Sequence, residues 1–402
     1  MHRSKSRTLR FGIVLTVLFL MAPVHGETSG NSYAWADDGS SPCDMIDELT
    51  FNGTLANESV QWQVDLGPRL PGSNASLAFR DNIKGLLEPA GWDITEVEHH
   101  RHGMNLTNLH ARWASTANDS DGQVVISAHY DSRGTADRDE NETNRSLPVP
   151  GANDAASGAA ILYELARHIP SMNLTYDVVL FWNDAEDQGD NYTLGSEAWA
   201  ENLSASEINA THAFVLLDMV GDADLQLQNI SPGNDTLKAR LVDLGSALGL
   251  VNESKDCNGA LGRDIIQYDV VVPVLDDHVH PHALGIPSID IMDPVYGEPK
   301  FYSFGSYWHT MEDTPDKVSA ESLGHVGRLV ELGLRTDAFI GLVNQTEMPN
   351  EIDTEQHVEK TPISQPGEDS VNNGSPAMAF IAAVFIATFV MGIALLEWKA
   401  KP

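Results

Sequence analysis

The stretch VVLFWNDAEDQG, residues 178–189, joins a short apolar run to a cluster of three carboxylates. Residues 178–182 are bulky and apolar, which is typical of a strand that is buried on both faces. Asp184, Glu186 and Asp187 follow at once, so three negative charges lie at the carboxyl end of that strand. Their mutual repulsion is costly without a cation. The stretch therefore predicts a sheet with a metal site at its carboxyl edge.

Three further apolar runs have the same character, at residues 124–128, 214–218 and 288–292. Helical spacing of apolar residues alternates with them, over residues 155–169 and 322–342. Alternating strands and helices predict a doubly wound α/β fold, in which a mostly parallel sheet carries helices on both faces. In such sheets ligands bind beyond the carboxyl ends of the strands.

Other polar residues follow these strands, and each alone has an ordinary explanation. His129 ends one strand, Asp154 begins a helix where it could be a cap, and Asp218 ends another strand where it could form a turn. His309 lies in a polar, turn-rich stretch. Together two histidines and three carboxylates make a nitrogen and oxygen shell suited to zinc. The predicted ligands are His129, Asp154, Asp187, Asp218 and His309.

Glu186 is left over beside this predicted ligand set. A carboxylate that does not bind the metal is what metal-assisted hydrolysis needs as a general base for water. Asp131 stands two residues after His129, so one of the pair can bind metal while the other orients it. The residues thus indicate a zinc-dependent hydrolase with Glu186 as its base.

Over residues 60–340 the chain resembles metallopeptidase family 28, the co-catalytic zinc aminopeptidases, to which glutaminyl cyclases are related. The matching elements, in order, are GPRLPGS at 67–73, HYDS at 129–132, Asp154 at a helix entrance, Glu186-Asp187 with Gly195-Ser196, LDM at 217–219 and WHT at 308–310. The resemblance implies that His129 and Asp218 hold one zinc, that Asp187 and His309 hold another, and that Asp154 bridges them. It also implies that Glu186 is the general base and that Asp131 orients His129. Asp187 departs from the glutamate that most family aminopeptidases carry.

Asp276-Asp277-His278 and Trp308 are more similar to the cyclase branch. That similarity implies a role for Asp277 in a catalytic hydrogen-bond network, and one zinc rather than two. From the predicted ligands, the base and the family resemblance together, we predict a zinc aminopeptidase acting on the amino termini of peptides or proteins, with one or two zinc ions. Glutaminyl-peptide cyclotransferase is the alternative. A catalytically silent, receptor-like ectodomain is a third class, although every ligand position here keeps a metal-binding side chain.

The chain ends predict export and membrane attachment. Basic residues precede an apolar run near the start, and an apolar stretch of about 20 residues, enough to cross a bilayer, precedes two lysines near the end. We expect a cell-surface, single-pass protein with an extracellular catalytic domain. The predicted parts are a signal peptide (1–26), a flexible lead (27–42), a catalytic domain (43–344), an acidic stalk (345–376), a transmembrane helix (377–396) and a cytoplasmic tail (397–402).

The net charge of −34, from 24 Lys and Arg against 58 Asp and Glu, argues against nucleic acid as a partner. Asn-x-Ser/Thr sequons such as those at Asn52 and Asn252 recur, as expected of an exported chain that can be glycosylated. Cys43 and Cys257 are the two cysteines, and outside the cell they could pair or remain free.

Overall fold

The structure is a computed structural model that describes residues 41–117, 120 and 122–342. The predicted signal peptide, stalk, transmembrane helix and cytoplasmic tail lie outside the described residues, as does nearly all of the predicted lead. Within the described ranges, no helix combines the length and apolar character needed to cross a membrane.

The described residues form ten strands and eight α-helices. The strands are β1 (Asp93–Arg101), β2 (Met104–Trp113), β3 (Gln123–His129), β4 (Asp177–Asn183), β5 (Asp187–Gln188), β6 (Asn191–Tyr192), β7 (Thr211–Asp218), β8 (Leu227–Ser231), β9 (Ile266–Pro273) and β10 (Ser288–Met292). The helices are α1 (Gly53–Asp65), α2 (Asn74–Leu87), α3 (Ala156–His168), α4 (Leu194–Glu201), α5 (Ala205–Ala210), α6 (Asp235–Ala247), α7 (Val279–Ala283) and α8 (Ala320–Arg335). Short 3₁₀ helices span Pro42–Glu48, Ile169–Ser171 and Pro315–Lys317.

The central sheet has six strands in the order β1-β2-β4-β3-β7-β10. Neighbours among β4, β3, β7 and β10 are parallel, and these are the four strands that the apolar runs predict. The hairpin of β1 and β2 adds antiparallel pairs at the other side. Three of the five strand pairs in this sheet are thus parallel, and both antiparallel pairs involve β2. The hairpin lacks a long apolar run because β1, at the edge, has no buried residue.

Helices cover both faces of the sheet. On one face α1, α3 and α8 pack together over the main core. Gly158 of α3 lies so close to the carbonyl of Leu217 that a Cβ would collide with it, so the helix approaches the end of β7 closely. On the other face Trp199 of α4 packs against Phe181 and Phe214. The close approach of Gly158 to Leu217 holds the start of α3 beside the carboxyl ends of the strands.

The last helix is shorter than the apolar spacing predicts. It ends at Arg335 rather than near residue 342. Asp337 has a positive φ of 56°, and the chain turns there so that Phe339 folds back onto Gly333. Phe339 therefore continues the apolar pattern in the sequence without being helical.

Cys43 and Cys257 form a disulfide, with 5.4 Å between their Cα atoms. The bond joins the 3₁₀ helix at Pro42–Glu48 to the loop between α6 and β9. It spans 214 positions of sequence. A crosslink over so long a loop removes much conformational freedom from the unfolded chain.

Candidate metal centre

The parallel strands bring four predicted site residues to one edge of the sheet. β4, β3 and β7 are neighbours and run in the same direction. His129 is the last residue of β3 and Asp218 the last residue of β7, while Glu186 and Asp187 follow β4. The register that pairs His129 with Asn183 places these ends at the same level. All four side chains are buried.

Two groups of donor atoms share Asp154. In the first, Nε2 of His129 lies 3.2 Å from Oδ1 of Asp154 and 3.3 Å from Oδ1 of Asp218. In the second, Nε2 of His309 lies 2.9 Å from Oδ2 of Asp187 and 3.7 Å from Oδ2 of Asp154. The three donor atoms of each group lie within 4.8 Å of one another. One imidazole and two carboxylates in each group fit a zinc ion.

The electrostatics also suit a cation. Burial alone would lower the pKa of His129, but its contacts with Asp131, Asp154 and Asp218 raise that pKa well above its ordinary value. Burial raises the pKa of Asp154, and the neighbouring charge of Asp187 adds to the effect. Buried carboxylates gathered around an imidazole thus favour a positive charge between them.

Asp154 does not cap α3, although a helix cap was the alternative to a metal ligand at this position. The N-cap position is Ala155, where no side-chain hydrogen bond is made, and the peptide bond between Asp154 and Ala155 is cis. Asp313 positions the residue instead, because its carboxylate accepts hydrogen bonds from the N–H groups of Asn153 at 2.8 Å and Asp154 at 3.3 Å. The hydroxyl of Tyr296 donates to Asp313 at 2.8 Å. The sequence analysis missed Asp313, which lies 159 positions from Asp154.

Asp131 contacts both His129 on β3 and the backbone that follows β4. Its carboxylate lies 3.3 Å from Nδ1 of His129. It also accepts hydrogen bonds from the N–H groups of Glu186 at 3.0 Å and Asp187 at 3.2 Å, and from Nε2 of Gln188 at 2.8 Å. One buried carboxylate therefore orients a ligand on β3 and fixes the backbone that carries Glu186 and Asp187.

Asp131→Asn should lower zinc affinity by about 10–100-fold, the usual cost of losing a partner that orients a metal ligand. The amide has one acceptor oxygen, so it cannot serve His129 and both backbone N–H groups. Competition with a chromogenic chelator measures the affinity. Asp184→Asn is the matched control, because Asp184 is equally buried but faces the N–H of Thr107. An unchanged affinity in Asp131→Asn would contradict the assigned role.

The second donor group has two partners that the sequence analysis missed. Oδ1 of Asp137 lies 3.5 Å from Nδ1 of His309, on the far side of the ring from Asp187. Nη1 of Arg133 donates to Oδ1 of Asp187, which leaves Oδ2 buried without a hydrogen bond and next to His309. Arg133 directly follows the HYDS motif, a position that could have drawn attention to it. Asp137 lies in a polar loop that carries no such signal.

Glu186 is buried but belongs to neither donor group. Its side chain lines a cavity together with donor residues of both groups. Burial raises the pKa of Glu186 well above its ordinary value, and the charges of Asp187 and Asp277 raise it further. The backbone around the site is unusual, since Ala185, Met219 and His309 have positive φ values of 60°, 45° and 56°. Such conformations in non-glycine residues concentrate at functional sites.

Asp277 and Asp276 take different positions. Asp277 is fully buried, accepts a hydrogen bond from the side chain of Asn183, and is not part of the cavity wall. Asp276 lines the cavity, beside Trp308 and Phe304. Burial, followed by the charges of Asp290, Asp218 and Glu186, raises the pKa of Asp276 well above its ordinary value. The structure thus places Asp276 rather than Asp277 at the cavity, and the role predicted for Asp277 stays a prediction.

Comparison with known proteins identifies the family. The sequence profile of Peptidase family M28 matches residues 108–332, more than half of the chain. Aminopeptidase YwaD of Bacillus subtilis is 27% identical over 208 residues, which are 52% of this chain and 39% of that protein. The chain therefore spans about two fifths of the length of that relative.

The solved structures that resemble this chain include a glutaminyl cyclase and a zinc-dependent exopeptidase. The glutaminyl cyclase of Tannerella forsythia has a TM-score of 0.60 and 27% identity, covering 71% of this chain and 99% of that one. A Zn-dependent exopeptidase from Parabacteroides distasonis has a TM-score of 0.59 and 25% identity, covering 72% of this chain and 99% of that one. The predicted resemblance is confirmed: the chain belongs to peptidase family M28.

Proposed function

We propose that this chain is a zinc-dependent aminopeptidase that removes residues from the amino termini of peptides. The composition of the cavity carries the proposal, because donor residues of both metal groups meet Glu186 there. The cavity's negative charge favours a substrate's terminal ammonium group. The carboxyl groups on its wall belong to Asp154, Glu186, Asp187, Asp218 and Asp276.

Zinc, when bound, polarises the substrate carbonyl and stabilises negative charge on its oxygen. Glu186 accepts a proton from the attacking water and returns it to the leaving amine. Asp131 keeps Glu186 in place through the backbone hydrogen bond of 3.0 Å. Trp308 and Phe304 form an aromatic wall that excludes water from the substrate side chain.

A specific observation favours glutaminyl cyclisation as the second candidate. Asp276 offers a second carboxyl group in the cavity, and its Oδ2 is buried without a hydrogen bond. In cyclisation the terminal amine attacks the glutamine side-chain carbonyl and ammonia leaves. Glu186 would accept a proton from the attacking amine, and protonated Asp276 would donate one to the amide nitrogen, which leaves as ammonia. Transfer of the proton from Glu186 to Asp276 would then restore both groups.

Mass spectrometry of two peptides distinguishes the candidates. The full chain, loaded with zinc, is incubated with a peptide that begins with leucine and with one that begins with glutamine. An aminopeptidase should remove a whole residue from each of these two peptides. A cyclase should remove ammonia from the glutamine peptide alone. An amino-terminally acetylated leucine peptide is the control and should remain intact. Cleavage of the acetylated peptide at internal bonds would contradict both candidates.

We also propose that the catalytic domain lies outside the cell, attached by the helix predicted at residues 377–396. The Cys43–Cys257 disulfide supports this location, because such bonds persist in oxidising compartments. Protease added to intact cells should release the domain by cutting the predicted stalk at residues 345–376. A cytoplasmic protein serves as the control for cell integrity. Detection of the domain only after lysis would contradict the location.

A further inference from the structure

A third group of metal-type donors lies next to the cavity, and neither candidate reaction uses it as a group. It consists of Asp276, His278 and Asp290, whose exposed fractions are 2%, 0% and 1%. Asp276 and His278 lie between β9 and α7, and Asp290 is in the middle of β10. Each residue offers one donor atom, and the three atoms lie within 4.8 Å of one another. The donor atoms of the two groups that share Asp154 lie within the same distance of one another.

Asp290 is a carboxyl group inside an otherwise uncharged, buried strand, Ser-Ile-Asp-Ile-Met. Its neighbours Ile289 and Ile291 belong to the main core, so Asp290 faces the other side of the sheet with Met292, which lines the cavity. Both oxygens of Asp290 are buried, no N–H or hydroxyl group donates to them, and the carboxyl group of Asp276 is within hydrogen-bonding reach. Among the residues that the structure describes, no lysine or arginine forms an ion pair with it. A carboxyl group so placed requires a proton or a cation.

His278 directs a lone pair at Asp290. Its Nε2 lies 3.1 Å from the carbonyl oxygen of Pro232, which can only accept, so Nε2 carries the ring proton. Neutral imidazole is the form in which histidine binds a metal ion. Nδ1 then has no proton to donate, and it lies 3.6 Å from Oδ2 of Asp290. Two acceptors face each other at a separation too long for a hydrogen bond.

Asp276 completes the group. Its Oδ1 accepts a hydrogen bond of 2.6 Å from the N–H of Asp277, which orients the carboxyl group. Its Oδ2 is buried and makes no hydrogen bond. Asp276 and His278 are thus each held by one hydrogen bond while one donor atom stays free. Metal ligands are commonly oriented in this way by partners in the surrounding shell.

We propose that Asp276, His278 and Asp290 bind a divalent transition metal ion of the zinc class, separate from the two groups that share Asp154. One imidazole nitrogen and two carboxylate oxygens are donors that zinc accepts. Two ligands of a tetrahedral zinc lie about 3.4 Å apart, close to the 3.6 Å between His278 and Asp290. The competing occupant is a proton shared by Asp276 and Asp290. A shared proton leaves Nδ1 of His278 without a partner, whereas a metal ion uses all three donors.

A metal ion here would fix one wall of the cavity. Val274, Leu275 and Asp276 line the cavity from the segment that precedes α7. The ion would tie this segment to β10 through Asp290. The third group would thus hold the cavity wall, to which Asp276 belongs.

Zinc content and anomalous scattering test the site. The full chain is stripped with a chelator, reloaded with zinc and freed of excess metal, and zinc per chain is measured by mass spectrometry. Wild-type protein should bind one zinc more than Asp290→Asn. Asp293→Asn is the matched control, because Asp293 is buried just beyond β10 and bonded to the N–H groups of Gln226 and Val295. It should keep the wild-type content, and crystals of the wild type should show an anomalous peak between the three side chains.

Equal zinc content in wild type and Asp290→Asn, or no anomalous peak at the group, would overturn the proposal in favour of the shared proton. Circular dichroism establishes whether Asp290→Asn folds, and if it does not, the wild-type anomalous map decides alone. Both readouts count metal rather than turnover. A third zinc in a chain without peptidase activity would therefore contradict the proposed function while supporting this site.

Discussion

Glu186→Gln should reduce turnover by about 10²–10⁴-fold, the usual contribution of a general base, while zinc content remains that of the wild type. The amide keeps nearly the shape of the carboxylate but cannot accept a proton from water. Glu186 belongs to neither donor group, so its replacement leaves every metal donor in place. Steady-state kinetics on the peptide substrate and zinc analysis of the same samples measure the two effects.

Asp187→Asn is the matched comparison for this prediction. Asp187 is the neighbouring carboxylate on the same strand end, but its Oδ2 belongs to the second donor group. The variant should lose zinc as well as turnover, because the amide lacks the charge that binds the cation and the charge that pairs with Arg133. Near-normal turnover in Glu186→Gln, or equal zinc loss in both variants, would show that the two roles are wrongly assigned.

Asp154→Asn should have the largest effect on metal binding, because one side chain serves two groups. Its Oδ1 faces His129 and its Oδ2 faces His309. The amide retains one weak acceptor oxygen, so both groups lose a charged donor. We expect zinc affinity to fall by more than the roughly 10–100-fold that the loss of a merely orienting partner costs. Isothermal titration of the chelator-stripped chain with zinc provides the measurement.

Asp218→Asn tests whether Asp154 is shared between two groups, because Asp218 serves only one. Asp218 contributes to the first donor group alone. Its replacement should weaken one binding event and leave the second group, with His309 and Asp187, unaffected. If Asp154→Asn and Asp218→Asn gave the same titration curve, Asp154 would not be a shared ligand.

The parallel part of the sheet could be predicted because its strands are buried on both faces. Residues 178–182 and 288–292 are continuous apolar runs or nearly so, and such runs are visible without any knowledge of the partners. β1 (Asp93–Arg101) could not be found in this way, since an edge strand leaves most of its side chains in contact with water. The helix end at Arg335 was also hidden, because Phe339 prolongs the apolar pattern beyond the turn at Asp337.

The candidate site could be predicted where residues that can bind metal lie at the ends of predicted strands. His129, Asp187 and Asp218 stand at or just beyond strand ends, so sheet topology alone predicts that they meet. Asp154 was ambiguous between cap and ligand, and only its contacts with the distant His129 and His309 distinguish the two. The order of Asp276 and Asp277 around the cavity depends on the backbone path of one loop, which composition and spacing do not encode.

The Cys43–Cys257 bond bears on how the protein would tolerate damage by other proteases. A single cut in a loop between the two cysteines would leave both pieces covalently joined. The enclosed segment contains four of the five donors that form the groups sharing Asp154, whereas His309 lies beyond it. The nicked molecule would thus run as one band on a gel without reductant and as two bands with it, and no ligand could diffuse away from the others. The donors inside the segment are His129, Asp154, Asp187 and Asp218.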